Sequence, residues 1–127
     1  MATIRHHTHI NRSADDVWKT VSDGGGIANW FPGIDTAKVE GKVRTISMGG
    51  TELVEDIVTV DGDLRRFQYQ ISGGVPLEFH LGTVDVLPDG EGSLVIYSTE
   101  VQPDEAKQLL DPVLARAVEG LKEHLEG

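Results

Sequence analysis

Between residues 35 and 101 apolar and polar side chains alternate. Turn signals recur at short intervals along this stretch: Gly41, Gly49-Gly50, Asp61-Gly62-Asp63, Gly73-Gly74 and the DGEG of 89–92. A period of two interrupted by tight turns predicts hairpin-linked strands, here six in an antiparallel meander. Such a sheet has an apolar face that another layer must cover. The C-terminal PDEAKQLLDPVLARAVEGLKEHLEG supplies that layer, since Ala106, Leu110, Val113, Leu114, Ala117, Leu121 and Leu125 fall on one helical stripe. Pro112 removes an N–H from this helix, but the stripe continues past it, so a kink is expected rather than a break.

Ahead of the meander, TIRHHTHI alternates Ile4, His6, Thr8 and Ile10 against Arg5, His7 and His9, as a strand does. NRSADDVWKTVSD reads as a short helix, with Ser13 as N-cap and Asp15 and Asp16 in the first turn. Gly24 to Gly26 end it, and IANWF adds one or two further turns before Pro32-Gly33. The fold class is α+β: a curved seven-stranded antiparallel sheet wrapping a long C-terminal helix, with two short helices after the first strand. A chain of 127 residues makes this a single domain, 1–127.

The formal net charge of −10 argues against nucleic acid and against anionic membrane surfaces. No segment is apolar enough for a signal peptide or a membrane span, and there is no cysteine for disulfide or thiolate chemistry. A soluble, cytoplasmic protein is expected, monomeric or homodimeric, without membrane insertion or cofactor. His6, His7 and His9 resemble a metal cluster, but alternation separates His6 from the other two. They read as solvated strand histidines, so no metal site is expected.

Turn lengths set cross-strand partners. A two-residue Gly49-Gly50 turn pairs Met48 with Thr51, Ile46 with Leu53 and Arg44 with Glu55. A three-residue 61–63 loop pairs Ile57 with Phe67, Glu55 with Tyr69 and Leu53 with Ile71. Both place Ile46, Met48, Leu53, Ile57, Phe67, Tyr69 and Ile71 on one face, with Asp56, Arg66, Gln68 and Gln70 on the other. Across the apolar face runs a polar file, Arg44, Glu55 and Tyr69, which can satisfy itself by pairing. A two-residue Gly73-Gly74 turn would send Glu78 and His80 inward with Val84 and Val86 and leave Phe79 and Leu81 outside; a bulge near Gly82 would reverse that. Val95, Tyr97 and Thr99 are placed inward on the last strand.

SADDVWKTVSD, GIANWFPGI, GKVRTISMGG, LVEDIVTVDGDLRRFQYQI and LGTVDVLP occur in an order that resembles the START-like, birch-pollen-allergen-fold superfamily (SRPBCC), in its polyketide cyclase/dehydrase and lipid transport branch. The resemblance implies a helix-grip fold with an apolar cavity between sheet and helix. It also implies ligands such as lipids, sterols, hormones or polyketides, and enzymatic activity in some members only. Where many relatives have Trp near the end of the last strand this chain has Tyr97, which either enlarges the cavity or adds a hydroxyl. The triple glycine precedes no Lys and follows a helix, so it does not match a phosphate loop. It reads as a hinge that lays IANWFPG over the open end of the cavity.

The first expectation is therefore a binding module for a small hydrophobic molecule. Trp30 and Phe31 would close the mouth, and Ile46, Leu53, Ile57, Phe67 and Ile71 would line the sheet side. Leu110, Val113, Leu114, Ala117 and Leu121 would line the helix side, with small Ala117 marking spare room. Arg44, Glu55, Tyr69, His80 and Tyr97 would orient the polar end. The alternative is a cyclase or dehydrase in which Arg44, Glu55, Tyr69 or His80 act on a bound poly-ketone. A further alternative is an interaction or regulatory module using an outer face that exposes Phe79 and Leu81.

Overall fold

The computed structural model describes residues 1–127. Seven strands form one sheet: β1 (Ala2–Ile10), β2 (Ile34–Glu40), β3 (Val43–Met48), β4 (Thr51–Asp61), β5 (Arg66–Gly73), β6 (Phe79–Asp89) and β7 (Gly92–Gln102). Their order is β1-β7-β6-β5-β4-β3-β2, and every neighbouring pair is antiparallel. The meander from β2 to β7 is the one expected, and β1 returns to pair with β7. α1 (Ala14–Ser22) and a 3₁₀ helix (Gly24–Asn29) link β1 to β2, and α2 (Ala106–Glu126) follows β7. The Asp16 N–H donates to Ser13 Oγ at 3.1 Å, which caps α1 as its sequence suggests. Instead of merely ending α1, the three glycines form the first half of the 3₁₀ helix.

β3 and β4 pair as expected, with Arg44 opposite Glu55 and Ile46 opposite Leu53. Gly49 and Gly50 both have positive φ, +58° and +85°, the geometry of the tight hairpin turn that glycine adopts without strain. The β4–β5 pairing differs from the expectation. Asp61 Oδ1 accepts the N–H groups of Asp63 and Leu64, Arg65 takes a left-handed φ of +54°, and Asp61 pairs with Arg66 across a longer loop. Ile57 therefore faces Tyr69, and Glu55 faces Ile71. Bulges between Ile57 and Thr59 and beside Val54 restore the alternation, so the apolar set still shares one face. Ile46, Phe67 and Tyr69 are buried there, with Met48, Leu53, Ile57 and Ile71 packed against them.

Gly73 ends β5 rather than forming a turn, and a loop over 74–78 leads to β6. Glu78 is exposed and His80 buried, so only the second of that inward pair is inside. Phe79 and Leu81 are half-buried, which leaves the expected outer contact patch without its two anchors. On β7, Val95, Tyr97 and Thr99 are all buried, as their parity requires.

α2 lies across the inward face and packs chiefly on β1 and β7. It runs without interruption through Pro112. Its C-terminal half is the tight half: Leu114, Ala117, Val118 and Leu121 are buried. A Cβ added at Gly120 would lie 2.3 Å from the Trp30 carbonyl oxygen and 2.8 Å from Pro32. Glycine at 120 thus lets the helix press onto the Trp30–Pro32 corner. Ala117 is wholly buried, and Leu121 nearly so.

Replacing Gly120 by Ala tests this contact, because two effects oppose. Helix propensity favours Ala by about 1 kcal/mol, whereas backbone oxygen at that distance forces the helix to shift. We expect net destabilisation, read as a lower midpoint in urea unfolding with an unchanged slope.

Candidate functional site

Arg44 and Glu55 sit directly opposite on β3 and β4, and both are almost fully buried. Arg44 Nε donates to Glu55 Oε1 at 2.6 Å, and Nη1 donates to the Gly24 carbonyl at 3.2 Å. The guanidinium carbon lies 5.4 Å from the Phe67 ring centroid and 5.1 Å from that of Tyr69, within cation–π range. The glycine-rich segment therefore contributes a backbone acceptor to the buried cation. Burial pushes the Glu55 carboxyl above its ordinary value, against the opposing pull of Arg44.

Tyr69 faces Gly82 on β6. A Cβ at Gly82 would lie 2.6 Å from the Tyr69 ring, so glycine leaves the room in which the ring lies across the sheet. The phenol reaches across β6 and hydrogen-bonds the Tyr97 hydroxyl on β7. Burial raises the pKa of both phenols well above the ordinary value, and nearby negative charge adds to it. The Tyr97 hydroxyl thus braces Tyr69.

His80 is buried and its Nδ1 accepts the Ile71 N–H at 3.0 Å. That bond leaves the proton of the neutral ring on Nε2. Burial lowers the His80 pKa to about 4.

Glu55, Tyr69 and His80 border a cavity of about 60 Å³ in which 11 of the 14 lining residues are hydrophobic. From the sheet come Ile46, Leu53, Glu55, Tyr69, Ile71 and His80; from the corner, Phe31; from α2, Leu110, Val113 and Leu114. Sequence reasoning chose all ten of these. It did not name Ile27, Ile34, Met48 and Thr99 as site residues, although parity had put Met48 and Thr99 on the inward face. The Ile27 and Ile34 signal was the IANWFPGI segment itself, whose winding carries both back under the corner. Trp30, Arg44, Phe67 and Tyr97 instead border a separate void of about 10 Å³, the size of one water. Trp30 Nε1 and Arg44 Nη2 are buried there without a protein acceptor. Ile57, Ala117 and Leu121 line neither space. Phe31 forms cavity wall, whereas Trp30 is a core plug tilted against it, their ring centroids 5.7 Å apart.

The remaining histidines do not gather. His6 points inward to Asp111 on α2, at 2.7 Å, while His9 lies on the outer parity near Asp89 at 3.6 Å. A larger open depression, about 670 Å³, lies on the back of β2–β4 among residues such as Thr36, Lys38, Glu40 and Thr45, on the opposite face from the buried pair.

Two expectations follow from the charges. Arg44→Met should destabilise the protein by roughly 3–5 kcal/mol because it strands a buried carboxylate, whereas Arg44→Met with Glu55→Leu should recover most of that loss. Chemical denaturation of the single and double variants measures it. The second concerns His80, whose folded-state pKa lies below its unfolded value of about 6.5. Its neutral form favours folding fully above pH 6.5, and this contribution is lost as pH falls from 6.5 towards 4, on the order of 3 kcal/mol. The raised Glu55 acts with the opposite sign. Comparing wild type with His80→Phe across pH 4–7 therefore isolates the histidine, and the variant should lack its part of the slope.

The whole chain, residues 1–127, matches the family model described as polyketide cyclase / dehydrase and lipid transport. The protein XoxI from Bacillus cereus has a similar structure, with a TM-score of 0.92 at 23% identity over 99% of this chain and 96% of that one. A START superfamily protein from Mycobacterium smegmatis superposes with a TM-score of 0.85 at 14% identity, covering 98% and 97%. The di-domain ARO/CYC protein BexL from the BE-7585A biosynthetic pathway gives 0.86 at 18% identity over 99% of this chain and 47% of its own. At these identities the similarities concern the fold, and it is the helix-grip fold of START proteins. No curated protein matches the chain in sequence.

Proposed function

The chain belongs to the polyketide cyclase/dehydrase and lipid transport family, and from that premise we propose that it binds a small hydrophobic molecule between the sheet and α2. The observation that carries this reading is the cavity itself: an apolar wall interrupted at one side by Glu55, Tyr69, His80 and Thr99. Ligand sites commonly combine an apolar body with a few polar groups that set orientation. At about 60 Å³ the space is far below the several hundred Å³ of a drug-sized site. The ligand is accordingly small, or the walls yield to it. Met48, Leu53, Ile71, Leu110 and Val113 are the walls that can yield, being only half-buried.

A catalytic reading has one specific support. Among the four candidate groups, Arg44 is held as a cation, Tyr69 keeps its proton, and His80 has Nδ1 engaged. Glu55, with its carboxyl raised by burial against the pull of Arg44, is left as the candidate to exchange a proton with a bound substrate. In a cyclase or dehydrase it would serve as the base, with the Tyr69–Tyr97 pair and Arg44 positioning it.

Native mass spectrometry of the freshly purified protein should reveal a retained small molecule, and titration with apolar aromatics should saturate at one per chain. A failure of fatty acids, sterols and aromatic ketones alike to bind would overturn the binding reading. If the ligand is also turned over, Glu55→Gln should lower kcat at least about 100-fold while changing KM little. Parent-like turnover by that variant would remove Glu55 from the chemistry.

A further inference from the structure

The cavity wall is electrically neutral. Glu55 is its one lining carboxyl, and the Arg44 guanidinium pairs with it at 2.6 Å. His80 contributes no charge, because Nδ1 is occupied by the Ile71 N–H and the ring carries its proton on Nε2. The Tyr69 hydroxyl is engaged with that of Tyr97. Thr99 Oγ1 is different: the residue is 1% exposed, lines the cavity, and its hydroxyl has no protein partner. Thr99 lies opposite Gly82, two residues along β6 from His80, so the two inward side chains are diagonal neighbours.

Each class of ligand meets this wall differently. An ionised carboxylate would leave water without gaining an unpaired cation, a large cost in an apolar enclosure. It would also approach a chain of net charge −10. An ammonium group would enter beside the Arg44 cation. A pure hydrocarbon would leave the Thr99 hydroxyl buried without a partner and would offer the His80 Nε2–H no acceptor. A neutral molecule with one acceptor oxygen satisfies all of these conditions.

We propose, on the reading that this cavity is a ligand site, that it selects a neutral apolar molecule bearing a carbonyl-type acceptor oxygen, which His80 Nε2–H and the Thr99 hydroxyl hold. His80 and Thr99 are then the residues that determine specificity, and carboxylates are excluded by the absence of a free counter-charge.

Three ligands with the same ring and similar size separate the classes: acetophenone, ethylbenzene and benzoate, titrated at pH 7.5 against the full chain with the His80 side-chain ¹⁵N–¹H signal followed by NMR. Acetophenone should bind about three- to tenfold more tightly than ethylbenzene, the worth of one net hydrogen bond. Benzoate should bind at least about 30-fold more weakly than acetophenone. The His80 Nε2–H signal should move with acetophenone and stay in place with ethylbenzene. In His80→Phe, and in Thr99→Val should the first variant fail to fold, the acetophenone-to-ethylbenzene ratio should fall towards one. Equal affinities with an unmoved His80 signal would overturn the assignment and leave the binding site standing. Benzoate as the tightest of the three would also overturn it. If none of the three binds, both the assignment and the binding site fall.

Discussion

The buried ion pair of Arg44 and Glu55 is the constraint around which the inward face is arranged. Neither partner is tolerable alone in an apolar layer, so each fixes the other. The pair also needs further partners, and the fold supplies them from three directions: the Gly24 carbonyl from the 3₁₀ helix, and the Phe67 and Tyr69 rings from β5. A single guanidinium thus joins the α1–β2 connection to the middle of the sheet. Removing one charge would expose the rest of this arrangement to an unpaired ion, whereas removing both would leave a surface that ordinary apolar side chains can fill.

From that pair a polar line continues across the sheet, by cation–π contact to Tyr69 and then by hydrogen bond. Tyr69 lies over Gly82 and joins Tyr97, so polar groups cross β5, β6 and β7 without breaking the packing of Val84, Val86 and Val95 around them. The phenols keep their protons under any physiological condition, and His80 stays neutral because burial opposes its charging. The site therefore offers fixed hydrogen-bonding groups whose charge does not change near pH 7. Only the Glu55 carboxyl, pulled up by burial and down by Arg44, has its protonation set by a balance of opposing effects.

Much of this was legible in the sequence because parity survives errors of register. The β3–β4 hairpin was read in full, since Gly49-Gly50 admits one turn length and hence one set of partners. The β4–β5 hairpin was not. Whether DGDLR closes as three residues or more depends on the Asp61 side chain capturing two N–H groups and on Arg65 accepting a left-handed φ. Neither leaves a mark in hydrophobic periodicity. The bulge between Ile57 and Thr59 then puts Ile57 opposite Tyr69 and Glu55 opposite Ile71, so the expected face survives although the partners differ. Depth is a different matter. Periodicity says that Ala117 and Leu110 share a stripe, but it does not say which of them meets a packed corner and which meets a cavity.

That difference of depth runs along α2 and sets where the cavity lies. The C-terminal half is held by Leu114, Val118 and Leu121, and by the close approach of Gly120 to the Trp30–Pro32 backbone. The N-terminal half carries Leu110 and Val113, both half-buried, and Leu109, 72% exposed. Glu105 provides no side-chain cap there, Pro112 has no N–H to give, and His6–Asp111 is the polar tie to β1. Packing is therefore tightest where α2 meets the aromatic corner and loosest where it passes over β3–β5. A helix seated evenly along its length would have filled the space above Glu55 and His80. Gly120 lets α2 close onto the aromatic corner, and the cavity lies towards the other end of the helix, beneath Leu110 and Val113 and beside the buried pair.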